Sequence, residues 1–180
     1  MSNSNSKPVS MEELFDRHAP QQMISEANAF KTVPKGMYRL RATKYAATES
    51  ETDKRLTVWF SLDILGPDGT RKAKGGVKVS PDERRTAKGN LDTQSKLYGQ
   101  LVKALFPSHS PEDQPSTAEV IQVFMQAPVD GFVTLQYQGP KDPQTGYPVW
   151  LDPQNDDEEI EYKKRGYKAI NIVRSIQAAH

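Results

Sequence analysis

Between Arg55 and Leu65 the chain reads RLTVWFSLDIL, in which Leu56, Val58, Phe60, Leu62 and Ile64 alternate with Arg55, Thr57, Trp59, Ser61 and Asp63. Period-two alternation predicts a strand with one buried face. Trp59 breaks the pattern, because a large apolar ring falls on the face that should meet water. Upstream, the turn signal Val33-Pro34-Lys35-Gly36 leads into MYRLRATKYAA, where Tyr38, Leu40 and Ala42 alternate with Arg39, Arg41 and Thr43. Downstream, Gly66-Pro67-Asp68-Gly69 is a tight-turn sequence, and a third strand follows over about Arg71–Ser80. Gly75-Gly76 inside it predicts a bulge or bend.

The period then changes. Leu97, Leu101, Val102 and Leu105 recur at helical spacing between Thr93 and Phe106, and Pro107 ends that helix. After a loop over Pro107–Pro115, Val120, Ile121, Phe124 and Met125 mark a short helix over about Thr117–Gln126, with Thr117 as candidate cap. Gly131–Gln138 alternates again as a fourth strand. The 28 residues Gly139–Gly166 read as a long acidic loop, of a length that is functional or disordered in most compact domains. A last strand over about Tyr167–Ile176 places Ile170, Ile172 and Ile176 in one phase.

This element order predicts a mainly β protein with short helices: a five-stranded, OB-fold-like Greek-key barrel with a helical insert between strands three and four. Residues 33–180 form that domain. Residues 1–32 read as an N-terminal extension, partly disordered, with a short helix over about 11–17 announced by the capping box from Ser10 to Glu13.

Composition adds limits. The chain has 180 residues, 13 prolines, 11 glycines and no cysteine, so one domain with extensions is expected, and disulfides and thiolate chemistry are excluded. A mean hydropathy of −0.73, no long apolar run and a start without signal-peptide features point to a soluble, cytoplasmic protein that spans no membrane. The net charge of +1 conceals segregation. Lys35–Leu105 holds fifteen basic and eight acidic residues, whereas Phe106–Tyr162 holds one basic and eleven acidic. Local potential of this kind attracts or repels a polyanion more than the total does.

Catalysis finds little support. His18, His109 and His180 have no partner at metal-ligand spacing, and Asn155-Asp156-Asp157-Glu158-Glu159 lacks the spaced ligands and central glycine of a calcium loop. The glycine pairs match neither a P-loop nor a dinucleotide fingerprint. No cofactor or metal is expected, and the chain does not read as an enzyme.

Facing arguments favour binding. If Leu40, Ala42, Val58, Phe60, Leu62, Val77 and Val79 point into a barrel, then Arg39, Arg41, Tyr45, Trp59 and Lys78 share its outer surface. Cations interleaved with flat rings suit single-stranded nucleic acid, with the charges on phosphates and the rings against unstacked bases. Lys72 and Lys74 either extend the phosphate track or are plain surface charge. Tyr147 and Trp150 either pack the long loop onto the barrel or act as a stacking clamp. For Trp59 the competing reading is burial under the N-terminal extension.

The segments VPKGMYRLRATKY, VWFSLDILGPDGTRK and SKLYGQLVKALF together resemble small phage-encoded OB-fold proteins that bind single-stranded DNA in replication and recombination. The resemblance covers about Val33–Phe106 and, more loosely, Gly131–Gln138 and Tyr167–Ile176. It implies sequence-tolerant binding of single-stranded DNA without catalysis, through Arg39, Arg41, Trp59 and Lys78. Replication or recombination proteins and a second copy of the chain are further candidate partners. Many such proteins end in an acidic tail, whereas here the acid lies in Asp152–Glu161. Two readings compete with it. One is a protein–protein adaptor that uses Trp59 and the Met11–Phe15 helix; the other is a carbohydrate-binding or virion barrel, which leaves the basic region unexplained.

Overall fold

The computed structural model describes residues 32–180, so the helix expected over 11–17 lies outside the described residues. The chain forms β1 (Gly36–Glu49), β2 (Leu56–Leu65), β3 (Arg71–Val79), α1 (Thr93–Leu105), α2 (Thr117–Phe124), β4 (Val129–Lys141), β5 (Pro148–Leu151), α3 (Asp156–Lys164) and β6 (Lys168–Gln177). Strands β1, β2 and β3 pair as an antiparallel meander, β3 runs parallel to β6, and β6 pairs antiparallel with β4. Antiparallel pairing of β4 with β1 closes the ring. The result is a mainly β, closed five-stranded barrel in the order β1-β2-β3-β6-β4, with α1 and α2 inserted between its third and fourth strands in sequence.

Alternation in β2 does what it predicts: Val58, Phe60, Leu62 and Ile64 are buried, and the Phe60 ring meets Phe124 of α2 edge-on at 4.8 Å. Such pairs add to the area they bury. In the β2–β3 turn, Gly69 takes a positive φ of 75°, and its N–H donates to the Gly66 carbonyl at 2.9 Å. Helix α1 starts at Asp92, whose carboxylate accepts from the Ser95 N–H, and it buries Leu97, Leu101 and Val102. The α2 cap is Ser116, one residue earlier than expected. There Ser116 and Glu119 complete a reciprocal capping box.

Three expectations are corrected. The stretch 139–166 is not a loop: β4 runs on to Lys141 and pairs with β5, and α3 follows. Helix α3 carries no apolar stripe to reveal it, and none of its residues is buried. Its ends stabilise it instead. Asn155 caps it by accepting from the Glu158 N–H, Asp156, Asp157, Glu158 and Glu159 occupy the first turn, and Lys163 and Lys164 the last, as the helix dipole favours. The second correction is that Gly75 and Gly76 lie in unbroken register opposite Leu62 and Ser61. The bulges fall elsewhere, one of them at Thr43, where β1 slips against β2 between Ala42 and Lys44. The third concerns β6. An extra residue, Arg174, separates Val173 opposite Val133 from Ser175 opposite Phe132, so Ile176 enters the core while Ile170 and Ile172 face out.

The β1–β2 loop is tied to α1 through Arg55, whose Nη1 lies 2.7 Å from Asp92 Oδ2 and whose Nε donates to Ser80 Oγ at 3.1 Å. The Arg55 guanidinium holds the Asp92 carboxyl at about 2, below its ordinary 3.8. A carboxylate depressed in the folded state stabilises it above the unfolded value, and that stability is lost as pH falls from about 3.8 toward 2. Urea midpoints should therefore fall across this window, and Asp92→Asn should make them less steep in pH. Asp53, held at about 2 chiefly by the Ser50 hydroxyl and also by Arg84, titrates in the same window, so part of the slope remains in the variant.

Candidate nucleic-acid interface

The outer face of the meander is read from its register. Ala46, Trp59 and Lys78 lie side by side on β1, β2 and β3; the next row is Lys44, Ser61 and Gly76; the next is Arg41, Asp63 and Lys74. Directly opposed residues project to the same side of a sheet, so these rows form one surface. Trp59 is 49% exposed on it. A Cβ built on Gly76 would stand 2.8 Å from Trp59 Cζ2, which means that the indole lies across the strand at a place only glycine leaves open. Beside the ring, a cleft of about 210 Å³ is lined by Thr32, Trp59, Lys74, Gly75, Gly76, Ala169, Ile170 and Asn171.

Each expected site residue has a definite place. Trp59, Lys74 and Lys78 are brought together, and Lys44 joins them. Arg41 lies on the same face but donates to Asp63 Oδ2 at 2.8 Å, and Arg71 approaches that carboxylate at 4.0 Å. Arg39 is remote. It stands opposite Leu65, six residues along β2 from Trp59, or about 20 Å at strand rise. There its Nε donates to Asp130 Oδ1 at 3.0 Å, and its Nη2 to the carbonyl of His180. Lys72 lies at the same end, folded over Gly66 with its ammonium 3.5 Å from Asp68.

Tyr45 is on the other side. The bulge at Thr43 inverts the phase of β1, so Tyr45 stands opposite buried Phe60, with ring centroids 6.3 Å apart, and not beside Trp59. The same inversion carries Lys44 outward, which simple alternation from Leu40 and Ala42 places in the core. A lysine on an inward phase was the available signal, since an unpaired ammonium is almost never buried and a shift in register is the cheaper solution.

Trp150 and Tyr147 belong to the β4–β5 hairpin, 45% and 74% exposed. Trp150 stands opposite Gln138, which shares the phase of Thr134; Thr134 stands opposite Ile172, and Ile172 opposite Gly76. The two tryptophans therefore project from one continuous outer surface, separated by four strand spacings, about 19 Å, across the strands and by six residues, about 20 Å, along them. The acidic helix α3 is pinned behind the hairpin. Tyr137 donates to Glu159 Oε1 at 2.9 Å, and Tyr162 packs between Tyr137 and Tyr167. Burial and the Glu159 carboxylate push the Tyr137 phenol above its ordinary value.

No protein-family model and no solved structure matches the chain. It is similar to the SPbeta prophage-derived uncharacterized protein YomG of Bacillus subtilis (strain 168), 26% identical over 77 residues, which make up 42% of this chain. The matched part is 9% of that protein, so the chain spans about a tenth of the curated relative it matches. No described helix is long and apolar enough to cross a membrane.

Proposed function

We propose that the barrel binds single-stranded DNA, without catalysis and largely without regard to sequence, in phage DNA replication or recombination in the host cytoplasm. The observation that carries this reading is the half-exposed Trp59 ring laid over Gly76 among Lys44, Lys74 and Lys78. A ring of this kind accepts the face of any base, and stacking one base contributes roughly 1–3 kcal/mol. Three ammonium groups around it are placed to meet phosphates on either side of that base. Trp150, on the same outer surface, gives a second stacking plane. The similarity to a prophage-derived protein supports a phage setting.

A salt titration tests the reading. Neutralising three phosphates on a single strand gives a log–log slope of affinity against salt of about −2. Fluorescence anisotropy with a labelled oligothymidylate should show that slope, together with weaker binding to a duplex of the same length. Absence of binding at low salt ends the proposal. A protein–protein adaptor is favoured by one feature, the exposed Tyr147, Val149 and Trp150 on the hairpin. Trp150→Ala separates the two, because a hairpin reserved for protein leaves oligonucleotide affinity unchanged, whereas a stacking plane lowers it several-fold.

A further inference from the structure

Strands β3 and β6 meet at a single bridge, Gly76 opposite Ile172. At this seam, residues just ahead of the bridge on both strands line the cleft beside Trp59, and two features leave it largely apolar. Gly75 and Gly76 bring no side chain to it. Asn171, buried on β6, turns its carboxamide into the core, where it accepts from the Val33 N–H at 2.9 Å and donates through Nδ2 to the Val33 carbonyl at 2.8 Å. That carboxamide thus bonds both backbone groups of one residue, as a neighbouring strand would. The walls that remain are the Trp59 indole, which reaches over Gly76, and the half-buried Ile170 on β6, with the exposed Lys74 at the rim.

We propose that this cleft is a thymine seat: one base of the bound strand enters it with the C5-methyl edge leading, against Ile170 and the Trp59 indole, while Lys74 at the rim meets that nucleotide's phosphate. The seat rests on the DNA-binding reading and adds a base preference to it. The cleft, at about 210 Å³, has room for one six-membered ring with its substituents, since an apolar cavity of about 150 Å³ accepts benzene. Chemistry selects among the bases. On the edge that would enter, thymine alone carries a methyl group, whereas both purines present the N7 acceptor and cytosine an amino group. A polar group facing these walls without a partner loses its water for nothing, and a methyl group does not. Entering by this edge also leaves the N3–H and the C2 carbonyl of thymine at the mouth, in water. The preference concerns one base in each bound stretch, so the rest of the strand stays free of sequence demands.

The test compares oligothymidylate with oligodeoxyuridylate of the same length, which differ only in the C5 methyl, by anisotropy on the full chain at low salt. Burying one methyl group should make the thymine strand bind about fourfold more tightly. Ile170→Thr keeps the branched shape of the wall but puts a hydroxyl on it, and should bring the two strands to within about twofold of each other while both still bind. Equal affinities in the unmodified protein overturn the seat and leave the DNA-binding reading standing. A preference that persists undiminished in Ile170→Thr overturns the seat as well, because the methyl is then read on the open face of Trp59. Nuclear Overhauser contacts between the thymine methyls and the Ile170 methyls in the unmodified protein give the same answer without a substitution, and their absence overturns the proposal. If neither strand binds, the DNA-binding reading falls and the seat with it.

Discussion

Trp59→Ala is expected to weaken oligothymidylate binding by about 1–3 kcal/mol, roughly five- to 150-fold, with little change in thermal stability. The two halves of that expectation have separate physical causes. The ring is 49% exposed and its underside rests on a glycine, so its removal uncovers strand backbone and opens no cavity among buried side chains. A substitution outside the core usually changes stability by well under 1 kcal/mol, and a half-exposed ring should stay near that limit. Affinity behaves differently, because the indole is the flat surface around which Lys44, Lys74 and Lys78 are arranged. Anisotropy and a melting curve on the same preparation decide the matter. A protein that melts early with affinity intact contradicts the proposed role of the ring. Arg39→Ala makes the internal comparison, since Arg39 stands about 20 Å away in a corner with Asp130 and should barely change affinity.

Asn171→Ala is expected to lower stability by about 2–5 kcal/mol, because it leaves the Val33 N–H and C=O without partners at a buried seam, and each orphaned group costs about 1–3 kcal/mol. For a domain of this size that is a melting point lower by roughly 4–20 °C. Asn171→Asp is the sharper variant. A carboxylate still accepts from the Val33 N–H, but it faces the Val33 carbonyl oxygen with no hydrogen to donate, and it carries charge into a site only 5% exposed. It should be destabilised at neutral pH and partly recover as acid protonates it. A loss below about 1 kcal/mol in both variants means that the seam is held by something other than this carboxamide.

Much of the barrel is legible in the chain because burial on one face of a strand forces alternation. Val58, Phe60, Leu62 and Ile64 announce β2 without help from any neighbour, and Leu97, Leu101 and Val102 announce α1 in the same way. What the pattern hides is whatever interrupts it. The slips at Thr43 and Arg174 each add one residue and invert the phase beyond it, and the mark that the first leaves in the sequence is Lys44 falling on an inward phase. As a result Tyr45 and Ile176 are misplaced by reasoning that is correct up to the bulge. Helix α3 is hidden for another reason: with no apolar stripe, its polar sequence reads as loop, although Asn155 and the ordered acids and lysines carry its end signals. Of the expected surface, Trp59, Lys74 and Lys78 come together because they sit on β2 and β3 beyond the slip in β1. Arg39 and Arg41 are found on the right face, but Asp130 and Asp63 partner them, and partners brought in from distant sequence cannot be read from local alternation.

Closing the ring also governs how copies of this protein meet one another. Since β1 pairs on both sides, with β2 and with β4, it offers no free edge to a neighbouring chain. Among the described strands, the end of the sheet order is β5, four residues long and opening with a proline that has no N–H to donate. Strand addition, the usual route from crowded β proteins to aggregates, therefore finds a short and poorly equipped edge, even where the exposed rings of the hairpin draw surfaces together.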